Sequence, residues 1–287
     1  MSTAIDGVLV KLNISQFQNS KQDKEMTDTV VEDHSLGEDS GRWTKRRFPT
    51  EALLPVRQHA SRCRKWHYTV TLPWEDGTRL LPINSIESYQ NQSSVNHKAM
   101  NAYLDEFLFR YDHWITKARE MHNGSFRESD YPSMEQMRAL HGYKIEIVPV
   151  PTTGGLATLV GKITQDRIDT LRRDLEESNQ VRLSQAMRDV WQRILDPVMS
   201  LATRLTSQEA PYRGSLVEHL REIIAAVPTL NITNDQQITD MASGVSDMLA
   251  GVTDEALNGS KLLSNSTAAK AIAVMQQFGT YGTRSFE

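Results

Sequence analysis

The sequence of 287 residues contains one cysteine, few aromatic residues and no long hydrophobic run. The single Cys63 excludes an intrachain disulfide framework and favours a reducing compartment. No run approaches the roughly 20 apolar residues that a membrane-spanning helix needs. The opening residues, MSTAIDGVLVKLN, lack the basic and then apolar order of a signal peptide. These absences predict a cytoplasmic protein that does not enter a membrane.

A complete phosphate-binding motif is also missing. The best candidate is GGLATLVGKIT at residues 154–164, between a predicted strand and a predicted helix. Five residues rather than four separate Gly155 from Gly161, and Ile163 stands where the motif needs a hydroxyl group for magnesium. We therefore interpret this stretch as a flexible connector.

The histidine and cysteine residues give one candidate metal site. His59, Cys63 and His67 lie four residues apart, so on one continuous helix they would share a face that suits zinc. The alternation that begins at Trp66 predicts a strand instead, which turns His67 away, and a fourth ligand is not evident. The sequence thus predicts no metal site, no cofactor and no catalytic residue, and it gives an enzyme no positive support.

Apolar periodicity predicts a mixed N-terminal half. Alternating apolar residues indicate strands over residues 8–14 and 66–72. A strand at 143–147 is expected to pair with the one at 66–72, because an isolated strand leaves its backbone polar groups without partners. Helical spacing is found over 50–64 and 94–122, and the second of these has a seam of seven apolar residues at alternating spacings of four and three.

The C-terminal half is predicted to be helical throughout. The longest helix is expected over residues 164–207, where Pro197 should kink or restart it. Its middle, EESNQVRLSQ, is polar on most faces, which indicates a stretch that projects into solvent or meets another subunit. Further helices are predicted at 215–227, 234–249 and 267–278.

Together these elements predict an α+β protein that is mostly helical, with a long-helix bundle or hairpin and a small N-terminal β-sheet. We divide the chain into a mixed α/β part, residues 1–150, and a helical part, residues 151–287. The apolar seam of helix 94–122 and the polar middle of helix 164–207 leave room for packing between subunits. A homo-oligomer is therefore one expected arrangement.

The distribution of charge is the strongest functional signal. Between Arg42 and Lys65, eight basic residues accompany a single acid, Glu51, so this segment has a charge of about +7 in a protein whose formal net charge is -4. The basic residues are Arg42, Lys45, Arg46, Arg47, Arg57, Arg62, Arg64 and Lys65. Such a concentration predicts an anionic partner.

Three interpretations of this basic segment stay open. Its cations can be solvated, or paired with carboxylates elsewhere in the fold such as the acids at residues 174–177. They can neutralise phosphates of DNA or RNA while Trp43, Phe48 or Trp66 stacks on bases. They can also bind an acidic protein.

Four blocks of sequence indicate a resemblance to a known family. They are LVKLNIS at residues 9–15, TLPWEDGTRLLP at 71–82, DYPS at 130–133 and VPTLNITND at 227–235. In these blocks the chain resembles an uncharacterised domain family of bacteriophages and conjugative elements. None of the blocks is a catalytic signature, so the resemblance implies no catalytic residue.

The resemblance also implies a class of partner. Members of that family are often encoded near MoxR-type AAA+ ATPases and proteins with von Willebrand factor A domains. It therefore implies a non-enzymatic helical adaptor that works with such a partner in the host cytoplasm. The alternative is a nucleic-acid-binding protein that uses the segment from Arg42 to Lys65 in replication, recombination or counter-defence.

Overall fold

The computed structural model describes residues 5–37, 39–154, 164–207 and 215–279. The strands are β1 Gly7–Ser15, β2 Ser20–Gln22, β3 Thr44–Arg46, β4 Leu72–Glu75, β5 Thr78–Pro82 and β6 Gly142–Pro149. The helices are α1 Lys24–Asp33, α2 Thr50–Val70, α3 Ile86–Phe109, α4 Tyr111–His122, α5 Met134–Leu140, α6 Gln165–Thr206, α7 Leu216–Leu230, α8 Gln236–Met248, α9 Asp254–Gly259 and α10 Lys261–Phe278. The fold is α+β and mostly helical, which confirms the predicted class.

Four of the strands form one sheet in the order β4-β5-β1-β6, and β2 and β3 form a separate two-stranded ribbon. An antiparallel hairpin joins β4 to β5 through Asp76 and Gly77. Gly77 has a φ of 73°, a conformation that glycine adopts without steric strain. β1 pairs antiparallel with β5, with Val8 opposite Leu81.

The strands predicted over residues 8–14 and 143–147 are confirmed as β1 and β6, but the strand predicted over 66–72 is wrong. α2 continues to Val70, so the neighbour of β6 in the sheet is β1 rather than a strand at 66–72. The aromatic and β-branched residues of that stretch favour a strand locally. Tertiary contacts outweigh such a preference.

Two arginines provide those contacts at the C-terminal end of α2. Arg193 donates hydrogen bonds to the carbonyl oxygens of Thr69 at 3.0 Å and Thr71 at 2.8 Å. Arg79 also binds Thr71, at 2.7 Å to its hydroxyl group and 2.8 Å to its carbonyl oxygen. Cations are favourable there because the last carbonyl groups of a helix lack intrahelical partners.

The chain divides into two compact units that alternate along the sequence. Unit 1 comprises Met1–Lys11, His67–Tyr89 and Glu146–Glu287, and unit 2 comprises Leu12–Trp66 and Gln90–Ile145. These boundaries differ from the parts 1–150 and 151–287 drawn from the sequence, because each unit collects segments that are far apart in the chain.

Unit 1 is built around the second half of α6. A stripe of this helix is buried, and the helix packs against β4 and α10. The stripe consists of Ala186, Met187, Val190, Trp191, Ile194, Val198, Leu201 and Leu205. Its spacing of three and four residues is that of an amphipathic helix. Trp191 meets Phe278 of α10 edge to face, with 6.0 Å between ring centroids.

The four predicted C-terminal helices are confirmed as α6, α7, α8 and α10. α6 is one helix of 42 residues, and it does not restart at Pro197. The six-residue α9 is too short to give a periodic signal and has no predicted counterpart. The stretch interpreted as a connector, residues 154–164, falls mostly outside the described ranges. No helix within those ranges is long and apolar enough to cross a membrane.

Unit 2 packs its helices around an aromatic core. The buried residues of this core are Phe17, Phe48, Ala52, Leu53, Leu104, Phe107, Leu108, Tyr111 and Met137. The helix predicted over 94–122 is two helices, α3 and α4, which are separated at Arg110, where ψ is 18°. Five of the seven seam residues are buried in this unit, so the seam packs within the chain.

Candidate nucleic-acid interface

The basic segment passes through three local structures. Arg42 and Trp43 precede β3, Lys45 and Arg46 belong to it, Arg47 follows it, and the other four basic residues lie on α2. Alternation along β3 leaves the Lys45 side chain largely buried and its neighbour Arg46 exposed. The eight basic residues therefore separate into an inward-facing pair and an outward-facing set.

Lys45 is the first of the inward-facing pair. Its side chain is 9% exposed, and its ammonium group lies 2.7 Å from Asp130 Oδ2 and 3.1 Å from Asp23 Oδ2. It also donates to the carbonyl oxygen of Ser125 at 3.3 Å. Burial lowers the pKa of Lys45, but hydrogen bonds to the two carboxylates outweigh burial and raise that pKa above its usual value. The carboxylates that neutralise this cation are thus Asp23 and Asp130, rather than the acids at residues 174–177.

Asp130 links the two strands of the β2–β3 ribbon. Lys21 of β2 lies opposite Lys45 of β3, and its ammonium group is 2.5 Å from Asp130 Oδ1. Like charges in opposed positions repel, and the shared carboxylate offsets that repulsion. Burial raises the pKa of Asp130, but hydrogen bonds from Lys21 and Lys45 hold it below its usual value. The pKa of Asp23 is also lowered, chiefly by a hydrogen bond from the backbone N–H of Met26.

Arg47 is the second inward-facing residue. Its guanidinium group donates to the carbonyl oxygens of Asp130, at 3.1 Å, and of Gln18. The same group lies 4.0 Å from the centroid of the Phe17 ring, and burial lowers its pKa. Lys45 and Arg47 are therefore engaged inside unit 2, and neither belongs to the exposed basic surface.

The four basic residues of α2 face outwards. The buried side of the helix contains Val56, Ala60 and Cys63. Its exposed side carries Arg57, Arg62, Arg64 and Lys65. We call these four residues the basic face of α2. Arg64 donates to the carbonyl oxygen of Ile14 at 3.0 Å. Within the part of the chain that the structure describes, Arg57, Arg62 and Arg64 form no ion pair with a carboxylate.

A second exposed group precedes α2. Arg42, Trp43 and Arg46 are all exposed, and Trp43 is 51% accessible. Arg46 donates to Thr50 Oγ1 at 2.8 Å, which places its guanidinium group at the first residue of α2. Of the aromatic residues considered for stacking, Phe48 is fully buried and is not available, and Trp66 is partly buried. Trp43 is the aromatic residue of the segment that offers its ring to solvent.

His59, Cys63 and His67 do lie on one continuous helix, because α2 extends to Val70. His59 Nε2 is 2.8 Å from the carbonyl oxygen of Asn96 and 3.4 Å from Cys63 Sγ. His67 Nδ1 is 2.8 Å from the hydroxyl group of Tyr89. Among the described residues, no group of three or more His, Cys, Asp or Glu side chains is arranged to hold a metal ion.

The charged cluster formed by Lys21, Asp23, Lys45 and Asp130 was not predicted from the sequence. It borders an open cavity of about 500 Å³, whose rim also includes Arg127. Every lysine of the cluster has a carboxylate partner, so the cluster joins β2, β3 and the start of α1. No periodic pattern connects these positions, and the one local signal is the N-cap position of Asp23 before α1.

Comparisons with protein-family models, with curated proteins and with solved structures found no match. The resemblance to the phage domain family therefore stays a prediction.

Proposed function

We propose that unit 2 binds nucleic acid through the basic face of α2. The observation behind this proposal is the one-sided charge of the helix. Four cations occupy its exposed side from Arg57 to Lys65, and no acid occurs in the sequence between Glu51 and Glu75. Such a surface attracts a phosphate backbone because binding releases the counterions that surround it.

The charge balance of the two units supports this choice. Unit 2 has 17 Lys or Arg residues against 15 Asp or Glu, whereas unit 1 has 15 against 21. The formal net charge of -4 therefore conceals a unit with a positive balance. Because Lys45 and Arg47 face inwards, the outward-facing cations of the segment from Arg42 to Lys65 lie on α2 and just before it.

Two charge-matched variants test the proposal by binding to DNA and RNA at several salt concentrations. The test variant keeps Arg64, because Arg64 also holds the backbone at Ile14. The test variant combines Arg57→Ala, Arg62→Ala and Lys65→Ala, and the control combines Lys98→Ala, Arg110→Ala and Arg138→Ala. The control residues are exposed in the same unit, so both variants lose the same charge from unit 2.

We expect the wild type and the control to bind with similar affinity. For each phosphate neutralised, the binding constant should fall roughly tenfold for every tenfold rise in salt concentration. The test variant should bind at least about tenfold more weakly at low salt, with a salt slope reduced by about two to three. Equal losses of affinity in the two variants would show that the net charge of unit 2, rather than the basic face of α2, determines binding. Failure of the wild type to bind any nucleic acid at low salt would contradict the proposal.

We propose adaptor function as a second candidate on the basis of one exposed aromatic residue. Phe109 is the last residue of α3 and is 90% exposed. Aromatic side chains are enriched at the centres of protein–protein interfaces, where they are buried by the partner. The AAA+ ATPase or von Willebrand factor A partner implied by the resemblance belongs to this proposal. Co-purification with such a protein, compared between the wild type and Phe109→Ser, tests it. A complex lost in the variant supports adaptor function, and no complex with the wild type contradicts it.

A further inference from the structure

Trp43 presents an open aromatic ring from a fixed backbone. Its N–H donates to Thr27 Oγ1 at 2.9 Å, and its carbonyl oxygen accepts a hydrogen bond from the N–H of Asp23 at 3.0 Å. The residue is nevertheless 51% exposed. In the ranges that the structure describes, the indole has no ring contact, cation–π contact or hydrogen bond. The backbone of Trp43 is therefore held in position, and its ring remains open to a ligand.

Exposed cations lie close to Trp43 in the sequence and again on the second half of α2. Arg42 directly precedes Trp43, and Arg46 follows it and contacts Thr50 at the start of α2. From Thr50 to Lys65 the helix rises about 22 Å at 1.5 Å per residue. The basic face of α2 occupies the second half of that length. An aromatic platform and a track of positive charge thus belong to the same unit.

We propose that the nucleic acid bound by unit 2 is single-stranded and that one of its bases stacks on Trp43. This inference rests on the proposed function. In a duplex, neighbouring base pairs cover both faces of each base, so an indole on the protein surface finds no face to stack on. A single strand exposes its bases, and proteins that bind such strands combine a positively charged track with aromatic side chains. The basic face of α2 then holds phosphates of the adjoining nucleotides.

The discriminating experiment compares the binding of four anionic probes. They are an oligothymidylate strand, an abasic strand of the same length, a duplex of the same length and polyglutamate. The abasic strand keeps the phosphates and removes the bases, and polyglutamate stands for an acidic protein. Binding is measured for the wild type, Trp43→Leu and Trp43→Phe, with urea unfolding to check that each variant is folded.

We expect the wild type to bind oligothymidylate at least about fivefold more tightly than the abasic strand or the duplex, because one base stacks on the indole. Trp43→Leu should lose this preference and bind the abasic strand as the wild type does. Trp43→Phe should keep most of it, because a phenyl ring still stacks. The comparison of probes on the wild type decides the matter even if Trp43→Leu is unstable.

The remaining outcomes separate this inference from the proposed function. If oligothymidylate, the abasic strand and the duplex bind with equal affinity, the single-strand inference is wrong and the proposed function stands. The same holds if Trp43→Leu binds oligothymidylate as tightly as the wild type. If the wild type binds polyglutamate and no nucleic acid, both are wrong and the surface belongs to an acidic protein partner.

Discussion

Asn19 and the backbone of Phe48 exchange two hydrogen bonds. Asn19 Nδ2 donates to the carbonyl oxygen of Phe48 at 2.8 Å, and the N–H of Phe48 donates to Asn19 Oδ1 at 2.7 Å. The N–H of Arg47 also donates to the carbonyl oxygen of Asn19 at 2.7 Å. The amide side chain therefore acts as an added peptide unit that continues the β2–β3 ribbon. Phe48 can therefore be buried in the core while its backbone N–H and carbonyl oxygen both keep hydrogen-bond partners.

Asn19→Ala is expected to lower the free energy of unfolding by roughly 2–5 kcal/mol, because two buried backbone groups of Phe48 lose their partners. Urea unfolding measures the change. Gln18→Ala is the control, since the neighbouring side chain is exposed, and it should change stability by no more than about 0.5 kcal/mol. A loss for Asn19→Ala as small as that of the control would contradict the structural role of Asn19.

Phe48 lies at the centre of an aromatic cluster. The rings around it, at centroid distances of 5.2 to 5.8 Å, are those of Phe17, Phe107, Tyr111 and Tyr131. Phe48→Ala should lower the free energy of unfolding by about 3–5 kcal/mol, because it leaves a cavity and removes these edge-to-face contacts. Thermal unfolding of Phe48→Ala beside Trp43→Leu measures this. Similar stabilities for the two variants would show that the Phe48 ring is not enclosed.

The contact between Lys45 and Asp130 is expected to contribute more than surface ion pairs do. Lys45→Met leaves Asp130 with Lys21 alone, and Asp130→Asn leaves Lys45 with Asp23 alone, so each should lower the free energy of unfolding by about 1.5–3 kcal/mol. The double variant should lose clearly less than the sum of the two. A double-mutant cycle on Arg138 and Asp105, whose side chains are more than half exposed, should give at most about 1 kcal/mol.

Acid should remove the part of this contribution that Asp130 supplies. Its pKa in the folded protein lies below the ordinary value of 3.8, so the stabilisation is complete above that value and is lost as the pH falls through the lower, folded pKa. The difference in unfolding free energy between the wild type and Asp130→Asn should therefore shrink below pH 3.8. A difference that stays constant at acid pH would contradict the charged contact.

The sequence predicted those elements in which a long periodic pattern decides the structure. α6 is an example, since Ile194, Val198 and Leu201 follow a helical period and are fully buried. The stretch from residue 66 to 72 shows the limit of such patterns. Its alternation favours a strand, but Arg193 binds the carbonyl oxygen of Thr69 across 124 residues of sequence and favours a helix. No local pattern contains that contact.

The candidate site shows the same limit for charge. Counting basic residues identified the segment, and the structure places Arg57 and Lys65 on the exposed side of α2. The count gave no means of separating Lys45 from its neighbour Arg46, because the inward position of Lys45 depends on Asp130, a residue far along the chain. Net charge in a sequence therefore overstates the charge that a folded surface offers to a partner.

His67 should make the stability of unit 1 depend on pH between about 4 and 6.5. The residue is 5% exposed and its Nδ1 lies 2.8 Å from the hydroxyl group of Tyr89. Burial and the nearby Arg79 lower the pKa of His67 to about 4. As the pH falls below 6.5, the unfolded chain takes up a proton that the folded chain does not. Stability is therefore complete above pH 6.5 and falls by roughly 3 kcal/mol towards pH 4.

Urea unfolding of the wild type and His67→Gln at pH 7, 6 and 5 tests this dependence. Glutamine keeps a hydrogen-bonding group near Tyr89 and cannot take up the proton, so the stability advantage of the wild type over the variant should shrink as the pH falls. Burial also lowers the pKa of His141, but that residue is present in both proteins and its effect cancels in the difference. The titration of Asp130 lies below this pH window. A difference that is the same at all three pH values would show that His67 takes up its proton as readily in the folded protein as in the unfolded chain.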